Sequence, residues 1–207
     1  MSIDTEKYLK NLKEKLQMEL PGSAAHEIMK PGGRVLRPDS DVEPRQSAVL
    51  ILLYEKNDEL ELIMIKRAEY DGVHSGQIAF PGGKKESNDN DLMETAFRET
   101  KEEVGLNRTQ IDIMGKLSPL WIPVSNMCVH PYVGFYNADP IFVIQEKEVQ
   151  KVLTFPLKEL LKEETITKSI FSGRKYSIEA PCYKVNGEKI WGASAMILSE
   201  LITILKN

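Results

Sequence analysis

Cysteine is nearly missing from this 207-residue chain. The two present, Cys128 and Cys182, lie too far apart in sequence to build a disulfide framework or a multi-thiolate zinc site, and they read as half-buried thiols. Histidine is almost as scarce. His26, His74 and His130 fall at no helical metal-ligand spacing, so any metal here is expected on oxygen ligands. No apolar run approaches the roughly 18 residues needed to cross a bilayer. The start, "MSIDTEKYLKNLKEKL", also lacks the apolar stretch of a secretory signal, and a cytoplasmic protein is expected. Nor is there a surplus of positive charge. Against 31 Asp and Glu stand 27 Lys and Arg, a net of −4, which excludes the broad basic field that draws proteins to nucleic acid or anionic membranes. The expected partner is a small molecule. Internal repeats and low-complexity tracts are absent too.

What the chain does have is a globular composition, 42% hydrophobic and 28% charged, in a length that suits one sizeable domain. Residues 4–20 place Tyr8, Leu9, Leu12, Leu16 and Leu20 on one helical stripe, with Asp4 as N-cap and Pro21-Gly22 as stop. The stretch 21–45, with "KPGGRVLRPDSDVEPR", reads as an extended surface arm. Residues 1–45 are therefore expected to form an N-terminal helix and arm, and 46–207 the main domain. "SAVLILLYE" and "LELIMIKR" predict a strand pair joined at "KNDE", the first apolar throughout, as a strand buried on both faces should be. Further strands are expected in "QIDIMGKLSPLWI" and "CVHPYVGFY", a short helix in "FPLKELLKE" and a late hairpin around Asn186-Gly187. A final helix is expected in "ASAMILSELITILK". Interleaved helices and strands with several short turns imply an α/β protein, a mixed sheet with helices on both faces.

One segment carries chemistry. In "FPGGKKESNDNDLMETAFRETKEEVGL", a helix advancing about 100° per residue from Arg98 puts Glu102 near 40°, Glu99 near 100° and Glu103 near 140°. Met93, Phe97 and Val104 lie on the opposite side. Like charges three and four residues apart destabilise an isolated helix by roughly 0.2–0.5 kcal/mol per pair. Arg98 reaches Glu102 and Glu94, which leaves Glu99 and Glu103 uncompensated. Two readings follow, a solvated charged face or a divalent-cation site. The Gly82-Gly83 turn, which lets backbone approach an ion or phosphate closely, favours the second.

"RETKEEVGL" (98–106) resembles the core of the Nudix box, a glycine, five residues, Glu, seven residues, then Arg-Glu-aliphatic-any-Glu-Glu-any-Gly-aliphatic. Arg98, Glu99, Glu102, Glu103, Gly105 and Leu106 match, with Gly82-Gly83 at the start. Thr100 stands at an aliphatic position, and Asn90 stands where the first glutamate belongs, because the loop is one residue longer. That longer loop, together with Arg67, "HSGQ" (74–77) and "FPGG", is similar to the extended signature of the coenzyme A pyrophosphatases, and "IWGASAMIL" resembles the segment opening their last helix. Glu86 and Asp89 sit at the acidic loop positions.

The resemblance implies the Nudix α/β/α sandwich with a mixed central β-sheet. It implies a magnesium- or manganese-dependent hydrolase that splits coenzyme A into 3′,5′-ADP and 4′-phosphopantetheine. Glu99, Glu102 and Glu103, with the Gly83 carbonyl, would hold the metal, and Arg98 would orient them. A carboxylate on a later loop, Glu146 or preferably Glu148, is the candidate general base. Arg67, His74, Ser75, Gly82 and Gly83 are the candidate substrate contacts, and a homodimer is implied. Two alternatives stay open: a Nudix diphosphatase for ADP-ribose, NADH or a nucleotide sugar, and a non-catalytic ligand-binding Nudix domain.

Overall fold

The computed structural model describes residues 2–33, 43–69, 75–173 and 176–207. Helix α1 (Ile3–Lys15) starts at Ser2, not at Asp4: the Ser2 hydroxyl accepts the Thr5 N–H at 3.2 Å. Asp4 sits inside the first turn, where its charge favours the positive helix end. Leu9, Leu12 and Leu16 are buried, so the predicted stripe docks on the body, although the helix ends five residues before the expected stop.

A second helix, α2 (Ser23–Ile28), lies within the stretch read as an extended arm. Six residues without a side-chain cap carry little helical signal. What holds α2 is tertiary. His26 Nε2 meets the buried Glu200 carboxylate at 3.0 Å, and Glu200 also accepts N–H groups of Gly22 and Ser118 at 3.1 Å each. The other part of that arm, residues 34–42, lies outside the described residues.

Strands β1 (Arg45–Lys56) and β2 (Glu59–Arg67) form the expected hairpin. Asn57 and Asp58 both take positive φ, 51° and 60°, as a two-residue type I′ turn requires. The apolar run of β1 is buried on both faces, with a period of two. Ile51 and Leu53 join a core with α1, while Ala48, Leu50 and Leu52 join a second core on the other face. Next come β3 (Ile78–Ala79), β4 (Gly82–Lys84), α3 (Leu92–Val104), β5 (Ile111–Lys116), β6 (Leu120–Ile122), β7 (Met127–Tyr136) and β8 (Val149–Pro156). The sheet runs β3-β2-β1-β7-β5, with β4 on β1, β6 on β7 and β8 on β2. Only β1 and β7 pair in parallel among these strands, so the sheet is mixed as anticipated.

The short helix α4 (Leu157–Leu160) leads to β9 (Ile166–Gly173), β10 (Tyr176–Val185), β11 (Glu188–Trp191) and α5 (Gly192–Lys206). The turn at Asn186-Gly187 is as expected, with φ of 52° and 79°. Strand β9 was not anticipated. It is an edge strand whose isoleucines, Ile166 and Ile170, lie on the exposed side, so its apolar residues do not mark a buried face. α3 covers one face of the large sheet; α1 and α5 cover the other, an α/β/α sandwich. Among the described residues no helix is long and apolar enough to cross a membrane.

Candidate active site

Helix α3 has well-formed ends. Asp91 caps it by accepting the Glu94 N–H at 2.8 Å, and Gly105 closes it in the left-handed region at φ 76°. Ala96, Phe97, Thr100 and Val104 are buried against the sheet. Glu103 is buried with them, at 1% exposure, which counts against the solvated-face reading of this helix.

Gly82 and Gly83, expected as a turn, instead begin strand β4 beside β1, and this strand is what covers that carboxylate. The Gly82 N–H donates to Glu103 Oε2 at 2.8 Å, while Glu103 Oε1 is buried with no hydrogen-bond partner. Arg67, at the end of β2, brings Nη1 to 3.6 Å from that oxygen. Burial pushes the Glu103 carboxyl up to about 8, because the Gly82 N–H and the Arg67 charge compensate only part of the lost hydration.

The two glycines serve different needs. Gly82 takes φ 152°, and a Cβ there would lie 2.3 Å from the Ala48 carbonyl oxygen of the paired strand. At Gly83 a Cβ would lie 2.3 Å from Glu99 Oε1. The missing side chain of Gly83 is thus the space that the Glu99 carboxylate occupies.

Arg98 is the hub of a carboxylate network that differs from the expected one. Its Nε and Nη2 donate to the two oxygens of Asp89 at 2.9 and 3.0 Å, a bidentate pair. Nη1 donates to Glu99 at 2.9 Å and to Glu102 at 3.2 Å. Glu99 is therefore compensated, and Glu94, expected beside Arg98, pairs with Arg108 instead. Burial raises the Glu99 carboxyl, and Arg98 offsets only part of the rise. Asp89 is itself buried and accepts the Glu86 N–H and the Thr95 hydroxyl, each at 2.9 Å. The Arg98 guanidinium holds its carboxyl well below the usual carboxylate range. Asp89 was noted only as an acidic loop residue. Its place one residue before Asn90, in a loop with one insertion, was the available signal for this partnership.

Glu148 arrives from the segment before β8. That segment is stitched to the end of α3, with the Val143 N–H on the Val104 carbonyl at 3.0 Å and the Gln145 N–H on the Glu103 carbonyl at 3.1 Å. One carboxylate oxygen each from Glu99, Glu103 and Glu148 then lies within 4.8 Å of the others. Glu102 is 56% exposed on the Arg98 side, outside this trio, and Glu146 is exposed and outside it as well. Three hard oxygen donors, one with a buried oxygen lacking a partner, beside a glycine strand with no side chain in the way, fit a divalent cation.

The other expected residues sit near β2. Arg67 donates its N–H to the Gln77 carbonyl at 3.0 Å, and Gly76 donates to the Ala68 carbonyl at 3.3 Å, so Ser75–Gln77 folds back on the strand end. His74 lies outside the described residues.

Comparison with known proteins agrees with this architecture. Residues 44–172 match the family profile of the NUDIX domain. The chain is 34% identical over 173 residues to Nudix hydrolase 22, chloroplastic, of Arabidopsis thaliana, covering 78% of this chain and 56% of that protein. It is 31% identical to Nudix hydrolase 3 of Caenorhabditis elegans, covering 81% and 75% of the two chains. It is also 31% identical to the Nudix hydrolase NudL of Enterobacter sp. (strain 638), covering 81% and 88%. The chain thus spans little more than half of the Arabidopsis relative and most of the other two. Among solved structures, the MutT protein from Methanosarcina mazei Go1 superposes with a TM-score of 0.52 at 19% identity over 79% of this chain and 96% of that one, a likeness of fold. A matched NUDIX domain over more than half the chain, relatives above 30% identity and a glycine strand closing on the box glutamates lead to one conclusion: this protein belongs to the Nudix hydrolase family.

Proposed function

We propose that the protein is a magnesium-dependent diphosphatase that cleaves the diphosphate of coenzyme A or its derivatives to 3′,5′-ADP and 4′-phosphopantetheine. The observation that carries the diphosphatase reading is the convergence of Glu99, Glu103 and Glu148 against the Gly82-Gly83 strand. The narrower substrate reading rests on the extended signature. Of that signature, Arg67 is placed against Glu103, and Ser75–Gln77 folds onto the same strand end.

A bound divalent cation supplies charge neutralisation at the diphosphate oxygens and acidifies a water. The chain's own groups do the rest. Glu99, oriented by Arg98, and Glu103, oriented by the Gly82 N–H, would be the cation's ligands. Glu148, the exposed member of the trio, accepts the proton as water oxygen bonds to one phosphorus and the bridging P–O bond breaks, the other phosphate leaving as an oxyanion. Arg67 serves both Glu103 and the substrate phosphates. Manganese, with the same oxygen preference, is the natural substitute for magnesium.

The test is a substrate panel on purified protein: coenzyme A, ADP-ribose, NADH and a nucleotide sugar, each with magnesium, manganese or chelator. Release of 3′,5′-ADP faster than turnover of the other compounds, and abolished by chelator, is expected. Preference for ADP-ribose would replace the substrate assignment, and binding without hydrolysis of any compound would remove the enzymatic one. Light scattering on the same sample reads whether the chain is the homodimer we propose.

A further inference from the structure

Beside the end of β2 lies a cleft of about 380 Å³ between Ser75–Ile78 and the β9–β11 sheet. The register of β2 against β8 shifts between Lys66 and Arg67, an irregularity that re-aims neighbouring side chains. Arg67 Nη1 lies 3.6 Å from Glu103 Oε1, while Lys66, the residue before it, lines the cleft. The two sites share one strand end, and the Gln77 carbonyl that binds the Arg67 N–H belongs to the cleft wall.

Two features of the cleft go together. Its wall holds Phe171 and Trp191, half-buried and stacked in parallel with centroids 4.2 Å apart and planes 10° apart. With them in the lining are two lysines, Lys66 and Lys189, and one carboxylate, Glu188. Lys189 Nζ lies 5.9 Å from the Phe171 centroid, and Lys66 and Lys151 lie 4.0 and 2.7 Å from Glu188. A flat aromatic platform within a net positive rim is the combination that recognises a nucleobase with a phosphate attached: the base stacks and the phosphate takes the lysines. Pantetheine offers neither a π face nor, beyond its single phosphate, a matching charge.

Resting on the diphosphatase reading above, we infer that this cleft receives the nucleotide end of the substrate. Phe171 and Trp191 act as the stacking platform, and Lys189 and Lys66 as the phosphate contacts.

The experiment uses the full chain and equilibrium titrations with 3′,5′-ADP and with 4′-phosphopantetheine, read by tryptophan emission. Trp191 is one of two tryptophans, and Trp121 lies outside the cleft. 3′,5′-ADP should quench the emission and 4′-phosphopantetheine should not. Lys189→Ala and Phe171→Leu should each weaken 3′,5′-ADP binding about tenfold, the size of one stacking or charge contact, with Lys189→Arg restoring most of it. KM for coenzyme A should rise to a similar extent while kcat stays within about twofold. Melting curves of both variants establish that they fold. Unchanged binding in folded Lys189→Ala and Phe171→Leu overturns the inference, whatever the enzyme cleaves. A wild-type protein that ignores coenzyme A yet loses 3′,5′-ADP binding in these variants sinks the substrate assignment and leaves the cleft standing.

Discussion

Replacing Glu103 by Gln removes a buried charge while keeping the acceptor that the Gly82 N–H uses. The consequence for stability can be worked through. Burial moves the Glu103 carboxyl from its ordinary 4.5 to about 8, and each unit is worth about 1.4 kcal/mol. A carboxyl whose folded value is raised binds more protons folded than unfolded. Its ionisation therefore costs nothing at low pH, and stability is lost progressively as pH rises from the unfolded value through the folded one. By pH 7 the loss is about 3 kcal/mol, approaching about 5 kcal/mol once pH passes the folded value. In a chain of this length that is on the order of 10 °C in melting temperature. Glu103→Gln has no such term. In chelator, the variant should melt close to wild type near pH 5 and well above it near pH 8.5. Magnesium should reverse the order at high pH, stabilising wild type alone, because a cation favours the ionised trio. Thermal melts of both proteins across pH, with and without magnesium, decide the matter. A wild-type-minus-variant difference that stays flat between those two pH values refutes the claim that Glu103 is a buried, uncompensated carboxyl.

Two further substitutions separate scaffold from chemistry. Gly82→Ala meets backbone, at the Ala48 carbonyl and a positive φ, and should cost about 3 kcal/mol or more in denaturant melts. Gly83→Ala meets only the Glu99 carboxylate, the end of a flexible side chain, so it should fold within about 1 kcal/mol of wild type yet lose at least about 100-fold in kcat. Asp89→Asn breaks the bidentate hold on Arg98, and with it the placement of Glu99. Its kcat should fall about 10- to 100-fold with KM nearly unchanged, as suits a positioning residue that touches no substrate, and steady-state kinetics show the split.

Much of the fold was legible because it is local. The period-two burial of β1, the positive-φ pairs at Asn57-Asp58 and Asn186-Gly187, and the α3 stripe of Phe97 and Val104 are all short-range patterns. Among the elements that escaped, α2 depends on the distant Glu200 of α5 and the short β4 on its pairing with β1, while β9, though paired with the next strand β10, carries Ile166 and Ile170 on its exposed side. At the site, the sequence alone determined which residue types share helix α3, and that a glycine pair precedes them, but not that the pair forms a strand. Helical angles placed Glu102 and Glu103 on a single arc, yet Glu103 is buried and Glu102 stays exposed on Arg98. Only the tertiary structure decided that difference. Whether a carboxylate is hydrated or buried depends on what lies over it, and the Gly82-Gly83 strand pairs with β1 directly above Glu103 and not above Glu102. The same holds for Asp89 and Glu148: their partners are fixed by loop paths, which a one-dimensional spacing does not encode.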